Sequence, residues 1–416
     1  MRKEVLEEFN EWWFTRRVPP ELLETYKRHL LQEVLSQLGK RQIISIIGLR
    51  RVGKTVMMRQ TINHLLTTGV DAKQVLYFSF DETVKDLNDI LTSYKELQGV
   101  DFRHDKTYLF LDEIQKLENW QNQLKKYYDL YPKMKFVLSG SEGLFIAQKT
   151  KETLAGRIYE HYLPSLSFKE FLELRNKNIN LPQAKIKQEL VEYILRGGFP
   201  EVINEDARQT KEYIRSIVID KIIYKDFLQL FHIRDLDKLK KIMEAIAINP
   251  GMDVSYQSIA QQFDLNRKTV SEYVMILEEG FVVKLLGNYR KGGVSTLRKT
   301  KRAYLTDTGI ISAYKPIIDD SFFGRMVETA VINALGTNMF WKNSYDVDAV
   351  INKTPVEVKY QHNIVSDDLK GTKEFMKKFK TKKGIIITKD TENEIKTEHG
   401  KIHLIPAWKF MLHGLK

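Results

Sequence analysis

Residues 43–58 have the sequence IISIIGLRRVGKTVMM, in which an apolar run ends at a glycine, turns basic and continues as an apolar pattern at helical spacing. Gly48 to Thr55 fits the pattern G-x-x-x-x-G-K-[ST] without a mismatch. A buried strand before such a motif and an amphipathic helix after it are the context that a phosphate-binding loop requires. Glycines let backbone N–H groups turn toward phosphate oxygens, and the amino end of the helix adds partial positive charge. The stretch therefore predicts a nucleotide phosphate site in an α/β fold.

The chemistry of this loop assigns roles to two side chains. Lys54 is expected to neutralise the β- and γ-phosphates of ATP, and the Thr55 hydroxyl is expected to bind Mg²⁺. A glycine turn without a ligand is the alternative, and the strand and helix on either side argue against it. The predicted cofactor-binding residues are Gly48, Leu49, Arg50, Arg51, Val52, Gly53, Lys54, Thr55 and Val56.

A phosphate-binding loop needs a second metal carboxylate at the end of a neighbouring strand. The sequence YLFLDEIQ, residues 108–115, supplies Asp112 and Glu113 after four apolar positions. We expect Asp112 to hold Mg²⁺ through water and Glu113 to position and deprotonate the attacking water. An ordinary strand that ends in a solvated acidic pair is the alternative.

Three further residues are candidates for contact with the γ-phosphate. The next strand, KFVLSGSEG, ends in Ser139 and Ser141. Either hydroxyl could sense the phosphate, and the sequence does not choose between them. Arg157, within ETLAGRIYEH, is a candidate to stabilise the transition state, in cis or in trans from a neighbouring subunit. A structural arginine that pairs with a nearby acid is an equally good interpretation.

Composition limits the classes of protein to consider. The chain has 416 residues and no cysteine, which excludes disulfides, zinc–thiolate sites and thiol nucleophiles. Its 66 basic and 54 acidic residues leave a net charge of +12, which favours a polyanionic partner, nucleic acid before membrane. Lysine-rich compositions also arise from genome bias.

No sequence feature predicts contact with a membrane. No apolar stretch approaches the roughly 18 residues that span a bilayer. The first residues, MRKEVLEEFNEWWF, carry acids where a signal peptide has its apolar core. We therefore expect a cytoplasmic protein.

The order of patterns predicts several domains. Apolar strands alternate with helical stretches up to about residue 163, which is typical of a parallel sheet with helices on both faces. The predicted divisions are residues 1–40, an N-terminal helical segment; 41–165, a P-loop NTPase core; 166–234, a helical lid; 235–300, a winged helix-turn-helix; and 301–416, a second α/β domain.

Residues 255–286 have the pattern of helix, tight turn, helix and strand. Ser255 is a plausible N-cap of the first helix. Basic and polar side chains at the front of the second helix, and on the strands that follow, suit contacts with DNA bases and phosphates. Such modules also serve as protein–protein contacts within larger ATPases. The predicted DNA-binding residues are Asn266, Arg267, Lys268, Ser271, Arg290 and Lys291.

A second group of acids lies near the carboxyl end. Glu328 is on a predicted helix, Asp348 on a strand, and Glu357 with Lys359 on the next strand. Two carboxylates could hold Mg²⁺ while the lysine polarises water or the developing phosphorane. Asp346 is an alternative to Asp348, and Gln361 is a candidate assistant. A salt-bridged pair on an edge strand is the simpler interpretation.

Two resemblances extend these predictions. The motifs GLRRVGKT, LFLDEIQ, LSGSEG, LAGR and LPSLSFKEFL resemble a family of prokaryotic AAA+-type ATPases, whose members add a winged helix and a C-terminal domain of unknown function. GGFP, YLTDTGI and GRMVETAVINAL also match in order, so the resemblance covers nearly the whole chain. Glu142 and Gly143 stand where the family usually has small hydroxyl residues. The C-terminal acids resemble a restriction-endonuclease-like core, a fold that also has members that bind DNA without cutting it.

Together the residues and the resemblances imply an ATPase that acts on DNA, with ATP and Mg²⁺ as cofactors and a possible C-terminal Mg²⁺-dependent nuclease. A homo-oligomer is possible, and the sequence does not determine the oligomeric state. The alternative is a non-cutting switch in which ATP regulates binding of DNA or protein. A motor that acts on protein is a third interpretation.

Overall fold

The computed structural model describes residues 3–140, 153–177, 181–228, 231, 233–290 and 301–415. Two of the residues predicted to be functional, Ser141 and Lys291, lie outside the described residues. The chain divides into two compact units, Met1–Pro164 and Ser165–Lys416. Among the helices that the structure describes, none combines the length and the apolar character needed to cross a membrane.

The first unit contains one five-stranded sheet. Its strands are β1 (Ile43–Ile47), β2 (Val75–Ser79), β3 (Thr107–Asp112), β4 (Met134–Gly140) and β5 (Ile158–Tyr162). They lie in the order β2-β3-β4-β1-β5, and every neighbouring pair is parallel. All residues of β1 to β4 are buried, so both faces of the sheet are covered. The predicted parallel sheet is confirmed.

Six helices accompany this sheet in the described part of the first unit. They are α1 (Lys3–Phe9), α2 (Trp12–Thr15), α3 (Leu30–Ser36), α4 (Lys54–Thr67), α5 (Leu87–Gln98) and α6 (Trp120–Leu130). The longest, α4, begins directly after the glycine-rich loop, with buried residues that include Met57, Met58 and Ile62. This is the strand–loop–helix order that the motif predicted.

The N-terminal segment covers the open edge of β2. The Asn10 side chain donates to Tyr77 O at 2.9 Å and accepts from Tyr77 N at 2.7 Å. The indole N–H groups of Trp12 and Trp13 both donate to Val75 O, at 3.1 and 2.9 Å. An edge strand exposes unpaired backbone groups that invite pairing with other chains, and these side chains satisfy some of them. The sequence NEWW therefore completes the sheet without adding a strand.

The second unit is richer in helix. Its described helices are α7 (Phe168–Leu174), α8 (Gln183–Arg196), α9 (Ala207–Tyr213), α10 (Leu236–Ile248), α11 (Tyr256–Phe263), α12 (Arg267–Glu279), α13 (Thr308–Tyr314), α14 (Asp320–Leu335), α15 (Lys370–Phe379) and α16 (Ala407–His413). Two π-helical segments, Ile214–Ile219 and Ile222–Phe227, follow α9. The first helix starts at a capping box, in which Ser167 Oγ accepts from Glu170 N and Glu170 Oε2 accepts from Ser167 N.

The motifs GGFP and YLTDTGI meet at one buried carboxylate. Asp307 Oδ2 accepts from Gly198 N at 2.9 Å, and Asp307 Oδ1 accepts from Gly309 N at 2.7 Å, which caps α13. Gly197 has φ of +78°, and a Cβ there would collide with Asp307 Oδ1. Burial raises the pKa of Asp307. These motifs are conformational requirements of the second unit, because only glycine allows both the backbone angle and the close approach.

The helices α10, α11 and α12 are accompanied by three antiparallel strands, the first of which lies between α10 and α11. The strands β6 (Met252–Val254), β7 (Val283–Asn288) and β8 (Lys301–Leu305) pair through β8, which is antiparallel to both of the others. Ser255 caps α11 by accepting from Ser258 N at 3.3 Å, as predicted. The strands β7 and β8 pair across residue 300, so the segments predicted as 235–300 and 301–416 contribute strands to one sheet.

The remaining strands belong to two sheets. Two of them, β9 (Met339–Lys342) and β10 (Asp346–Val347), extend the same sheet in the order β10-β9-β7-β8-β6. The others are β11 (Ala349–Ile351), β12 (Thr354–Lys359), β13 (Lys383–Thr388), β14 (Asn393–Thr397) and β15 (Gly400–Pro406). They form a third sheet in the order β11-β12-β13-β15-β14. Met376 of α15 packs with Ile386 and Ile402 in its core.

Candidate nucleotide site and C-terminal acidic cluster

The loop between β1 and α4 is curled at its glycines. Gly53 has φ of +97° and forms the N-cap of α4, and Gly48 has φ of +155°. A Cβ at Gly48 would collide with the carbonyl oxygen of Leu163. Arg51 also has a left-handed backbone, with φ of +67°. Such a curl is how successive N–H groups come to face an anion at the start of a helix.

The Lys54 side chain turns back across this loop. Its Nζ donates to Gly48 O at 3.0 Å and to Leu49 O at 2.8 Å, and only 6% of the residue is exposed. A buried ammonium group held beside the loop backbone is a strong partner for phosphate oxygens. The geometry suits the role predicted for Lys54.

Asp112 accepts hydrogen bonds from three hydroxyl groups. Thr55 Oγ1 donates to its Oδ2 at 2.7 Å, and the Tyr77 hydroxyl donates to the same oxygen at 2.8 Å. Ser139 Oγ donates to Oδ1. A threonine hydroxyl beside a carboxylate supplies the hard oxygen ligands that Mg²⁺ prefers. The residues present therefore fit a magnesium ion at Thr55 and Asp112.

Tyr77 is a functional candidate that sequence reasoning missed. It lies on β2, is 4% exposed, and is held on its backbone side by Asn10. Burial, together with the charge and hydrogen bond of Asp112, raises the pKa of Tyr77, so its hydroxyl keeps its proton and donates. The available signal was a tyrosine in an otherwise apolar strand, because a buried phenol usually needs a partner.

Glu113 and Ser139 are organised together. Glu113 has φ of +52°, unusual for a residue with a side chain, and its N–H donates to Ser139 Oγ at 3.2 Å. Gln115 Nε2 donates to Glu113 Oε2 at 2.5 Å. The Ser139 hydroxyl thus contacts both Asp112 and the backbone N–H of Glu113. It is therefore not reserved for contact with a phosphate. Non-glycine residues with such backbone angles cluster at functional sites.

Arg157 directly precedes the amino end of β5, whereas the loop follows the carboxyl end of the neighbouring strand β1. Its carbonyl accepts from Ile43 N at 2.8 Å, and β5 pairs with β1 in the register Ile43↔Ile158. The loop begins after Ile47, so roughly 13 Å of strand separates them at about 3.3 Å per residue. Arg157 Nε pairs instead with Asp129 Oδ1 at 3.1 Å. A role in cis, one of the two left open by the sequence, does not fit this placement.

The predicted C-terminal acids lie near one another, but their oxygens are already engaged. Asp348, between β10 and β11 rather than on a strand, accepts from Val358 N at 2.8 Å and from Arg302 Nη1 at 3.2 Å. Glu357 pairs with Lys359 Nζ at 2.8 Å. The Glu328 carboxylate accepts from the Tyr304 hydroxyl at 2.7 Å.

This arrangement does not fit a magnesium ion as it stands. Burial and the neighbouring Asp348 carboxylate raise the pKa of Glu328 to about 8 and raise the pKa of Glu357. Across the described residues, no group of three or more histidine or acidic side chains is arranged to hold a metal ion. The alternative acid Asp346 pairs with Arg302, and Gln361 donates to Asp368 at 2.7 Å. The residues predicted to bind this metal ion therefore lie near one another but are not arranged as a metal site.

The residues predicted to contact DNA are mostly exposed. Arg267, Lys268 and Ser271 lie on the exposed side of α12, and Arg290 follows β7. The Lys268 ammonium lies 3.9 Å from the Glu272 carboxylate. Asn266 serves as the N-cap of α12, since its Oδ1 accepts from Thr269 N at 2.8 Å. Its side-chain oxygen therefore has a structural role that the sequence prediction did not include.

Comparison with known proteins extends these observations. Residues 40–172 match a family model described as an AAA domain, and residues 187–321 match a domain of unknown function. An uncharacterized protein of Haemophilus influenzae is 28% identical over 296 residues, which are 68% of this chain and 72% of that protein. An uncharacterized protein of Methanocaldococcus jannaschii is 28% identical over 421 residues, which are 90% of this chain and 85% of that protein.

One solved structure is a Walker-type ATPase of Pyrococcus abyssi. It is 14% identical, has a TM-score of 0.48, and is matched over 72% of this chain and 97% of that chain. The sheet order, the curled loop at Gly48 and the Thr55–Asp112 pair agree with the match of the family model. Residues 40–172 thus match an AAA domain, and they contain a parallel α/β sheet with a curled glycine-rich loop between β1 and α4.

Proposed function

We propose that this chain binds ATP with Mg²⁺ and hydrolyses it. The observation that carries the proposal is the 2.7 Å contact between Thr55 Oγ1 and Asp112 Oδ2, beside a loop whose backbone curls at Gly48 and Gly53. When bound, Mg²⁺ would neutralise charge on the phosphate oxygens. Lys54 would add a second positive charge, and Glu113 would hold the attacking water and accept its proton.

Tyr77→Phe is expected to weaken the response of ATP hydrolysis to Mg²⁺ by about 10-fold, the lower end of the usual effect of a lost outer partner. The change removes one hydrogen bond to Asp112 but keeps the ring in the sheet. Turnover measured against Mg²⁺ concentration, with ATP in excess, tests this. Little change in maximal turnover is expected.

A matched control is Tyr94→Phe, which also removes a buried hydroxyl in the same unit. The Tyr94 hydroxyl donates to Lys73 O at 2.6 Å and does not contact Asp112. If both variants need the same Mg²⁺ concentration as the unmodified chain, Tyr77 does not position the aspartate.

We further propose that ATP turnover serves an action on DNA, through a winged helix formed by α10, α11, α12 and strands β6 to β8. A three-residue turn, residues 264–266, joins α11 to α12, which suits a helix-turn-helix. Arg267 and Lys268 are exposed at the start of α12 and suit phosphate contacts. The net charge of +12 favours the same kind of partner.

The double change Arg267→Ala with Lys268→Ala is expected to weaken DNA binding and to remove any stimulation of ATP turnover by DNA. Each lost phosphate contact should reduce the magnitude of the negative slope of log affinity against log salt by about 0.9, so the pair should reduce it by about 1.8. Lys241→Ala, an exposed lysine on α10, is the matched control. Unaltered slope and unaltered stimulation in the double variant would leave protein as the better candidate partner.

For the C-terminal unit, the geometry favours the non-cutting switch over the nuclease. The oxygens of Asp348 accept from Arg302 and Val358, and Glu357 pairs with Lys359. Supercoiled plasmid incubated with this protein and Mg²⁺ or Mn²⁺ should therefore stay intact. Nicking that disappears in Glu357→Ala would support the nuclease instead. A homo-oligomer, with Arg157 acting in trans, stays a prediction.

A further inference from the structure

Arg302 is a buried cation among three carboxylates of the second unit. It lies on β8, is 7% exposed, and places Nη1 3.2 Å from Asp348 Oδ1. Its Nη2 contacts Asp346 Oδ2, and its Nε lies 3.6 Å from Asp253 Oδ1. The guanidinium carbon lies 4.8 Å from the centre of the Phe340 ring. One side chain therefore forms ion pairs with acidic residues of β6, β10 and the β10–β11 junction.

Buried groups with fixed positions surround this guanidinium. Asp348 is itself 9% exposed, and its second oxygen is fixed by the backbone N–H of Val358 at 2.8 Å. The Nε of Arg302 and the Oδ1 of Asp253 are buried without a hydrogen-bond partner. Unlike these buried groups, the Asp346 side chain is half exposed, so the cluster is open to solvent on one side.

A metal ion and this guanidinium would compete for the same oxygens. The acid predicted to bind a divalent cation, Asp348, directs Oδ1 at Arg302, and the alternative acid, Asp346, directs Oδ2 at it. Hard divalent cations bind such carboxylate oxygens directly. Like a metal ion, a guanidinium bonds oxygens of two carboxylates at once, but it brings one charge instead of two.

We propose that Arg302 closes a divalent-cation site formed by Asp346 and Asp348, with Glu357 beside them. The arginine is the resident cation, and Mn²⁺ or Mg²⁺ binds the cluster only when the guanidinium is withdrawn. Because Arg302 is on β8, which pairs with β7 and β6, the closure ties the antiparallel strands to the C-terminal acids.

The test is Mn²⁺ binding by the full-length, nucleotide-free chain, followed by electron paramagnetic resonance and by calorimetry. Compared with the unmodified chain, Arg302→Met should gain one Mn²⁺ site, with at least a 10-fold increase in affinity over the background. Adding Asp348→Asn to that variant should remove the gain. Arg325→Met is the matched control, because Arg325 is an exposed arginine on α14, the helix that carries Glu328.

Three results would overturn the proposal. The first is Mn²⁺ binding by the unmodified chain that Asp348→Asn removes, since Arg302 would then not block the site. The second is a folded Arg302→Met chain with no gain in binding. If that variant or Arg302→Gln melts early, Mn²⁺ should restore its melting temperature, and failure to do so also contradicts the proposal.

Discussion

Lys54→Ala should abolish useful ATP binding, with a rise in Kd of at least about 100-fold, which corresponds to roughly 2.7 kcal/mol. The substitution removes the buried ammonium group that donates to the loop carbonyls of Gly48 and Leu49. Hydrogen bonds to charged groups contribute about 1.5–3 kcal/mol each, so loss of the contacts to two phosphates accounts for this magnitude. Isothermal titration with a slowly hydrolysed ATP analogue and Mg²⁺ measures the change directly.

The control for this variant is Lys95→Ala, which removes an exposed lysine from α5 in the same unit. Its affinity for the analogue should equal that of the unmodified chain. The melting temperatures of both variants, without nucleotide, show whether the loop substitution affects folding. An unchanged Kd in a folded Lys54→Ala chain would disprove the assignment of the loop as the phosphate site.

Glu113→Gln should leave nucleotide binding intact and lower turnover by about 100-fold or more, the range expected for the loss of a general base. The amide is almost the same shape as the carboxylate, so the left-handed backbone of Glu113 and its N–H contact to Ser139 can persist. A neutral amide can still orient water but cannot accept its proton. Phosphate release and analogue affinity, measured on the same preparation, separate the two effects.

Glu118→Gln provides the comparison, because Glu118 is exposed and close in sequence to the same acidic pair. Its turnover should match that of the unmodified chain. Persistent high turnover in Glu113→Gln would mean that another residue accepts the proton from water. Lost affinity for the analogue would instead mean that Glu113 contributes to binding.

The candidate nucleotide site was the most predictable part of the molecule. Its strand, loop and helix are consecutive in the chain, so the residues from Gly48 to Thr55 come together through local geometry alone. Asp112 and Glu113 were equally predictable, because the carboxyl ends of parallel strands meet at one edge of a sheet. The structure places Thr55 and Asp112 in direct contact, as that reasoning requires.

Other contacts were beyond reach of the sequence. Tyr77 meets Asp112 because β2 lies next to β3 in parallel register, with Ser79 opposite Asp112. Arg157 lies at the end of the strands away from the loop because β5 runs parallel to β1 and begins beside Ile43. Neither register can be predicted from a local sequence pattern. The strand order decides both, and strand order depends on packing across the whole unit.

The sequence by itself determined the glycine-rich loop, the acidic pair, the parallel sheet and the start of α11 at Ser255, because each depends on neighbours a few residues apart. Tertiary structure alone decided which cation meets the C-terminal acids. Arg302 reaches Asp348 across 46 residues of chain, and this contact depends on β8 lying between β7 and β6. Local periodicity reports which side of an element is buried, whereas the charge that faces a buried carboxylate is set by the neighbouring element packed against it.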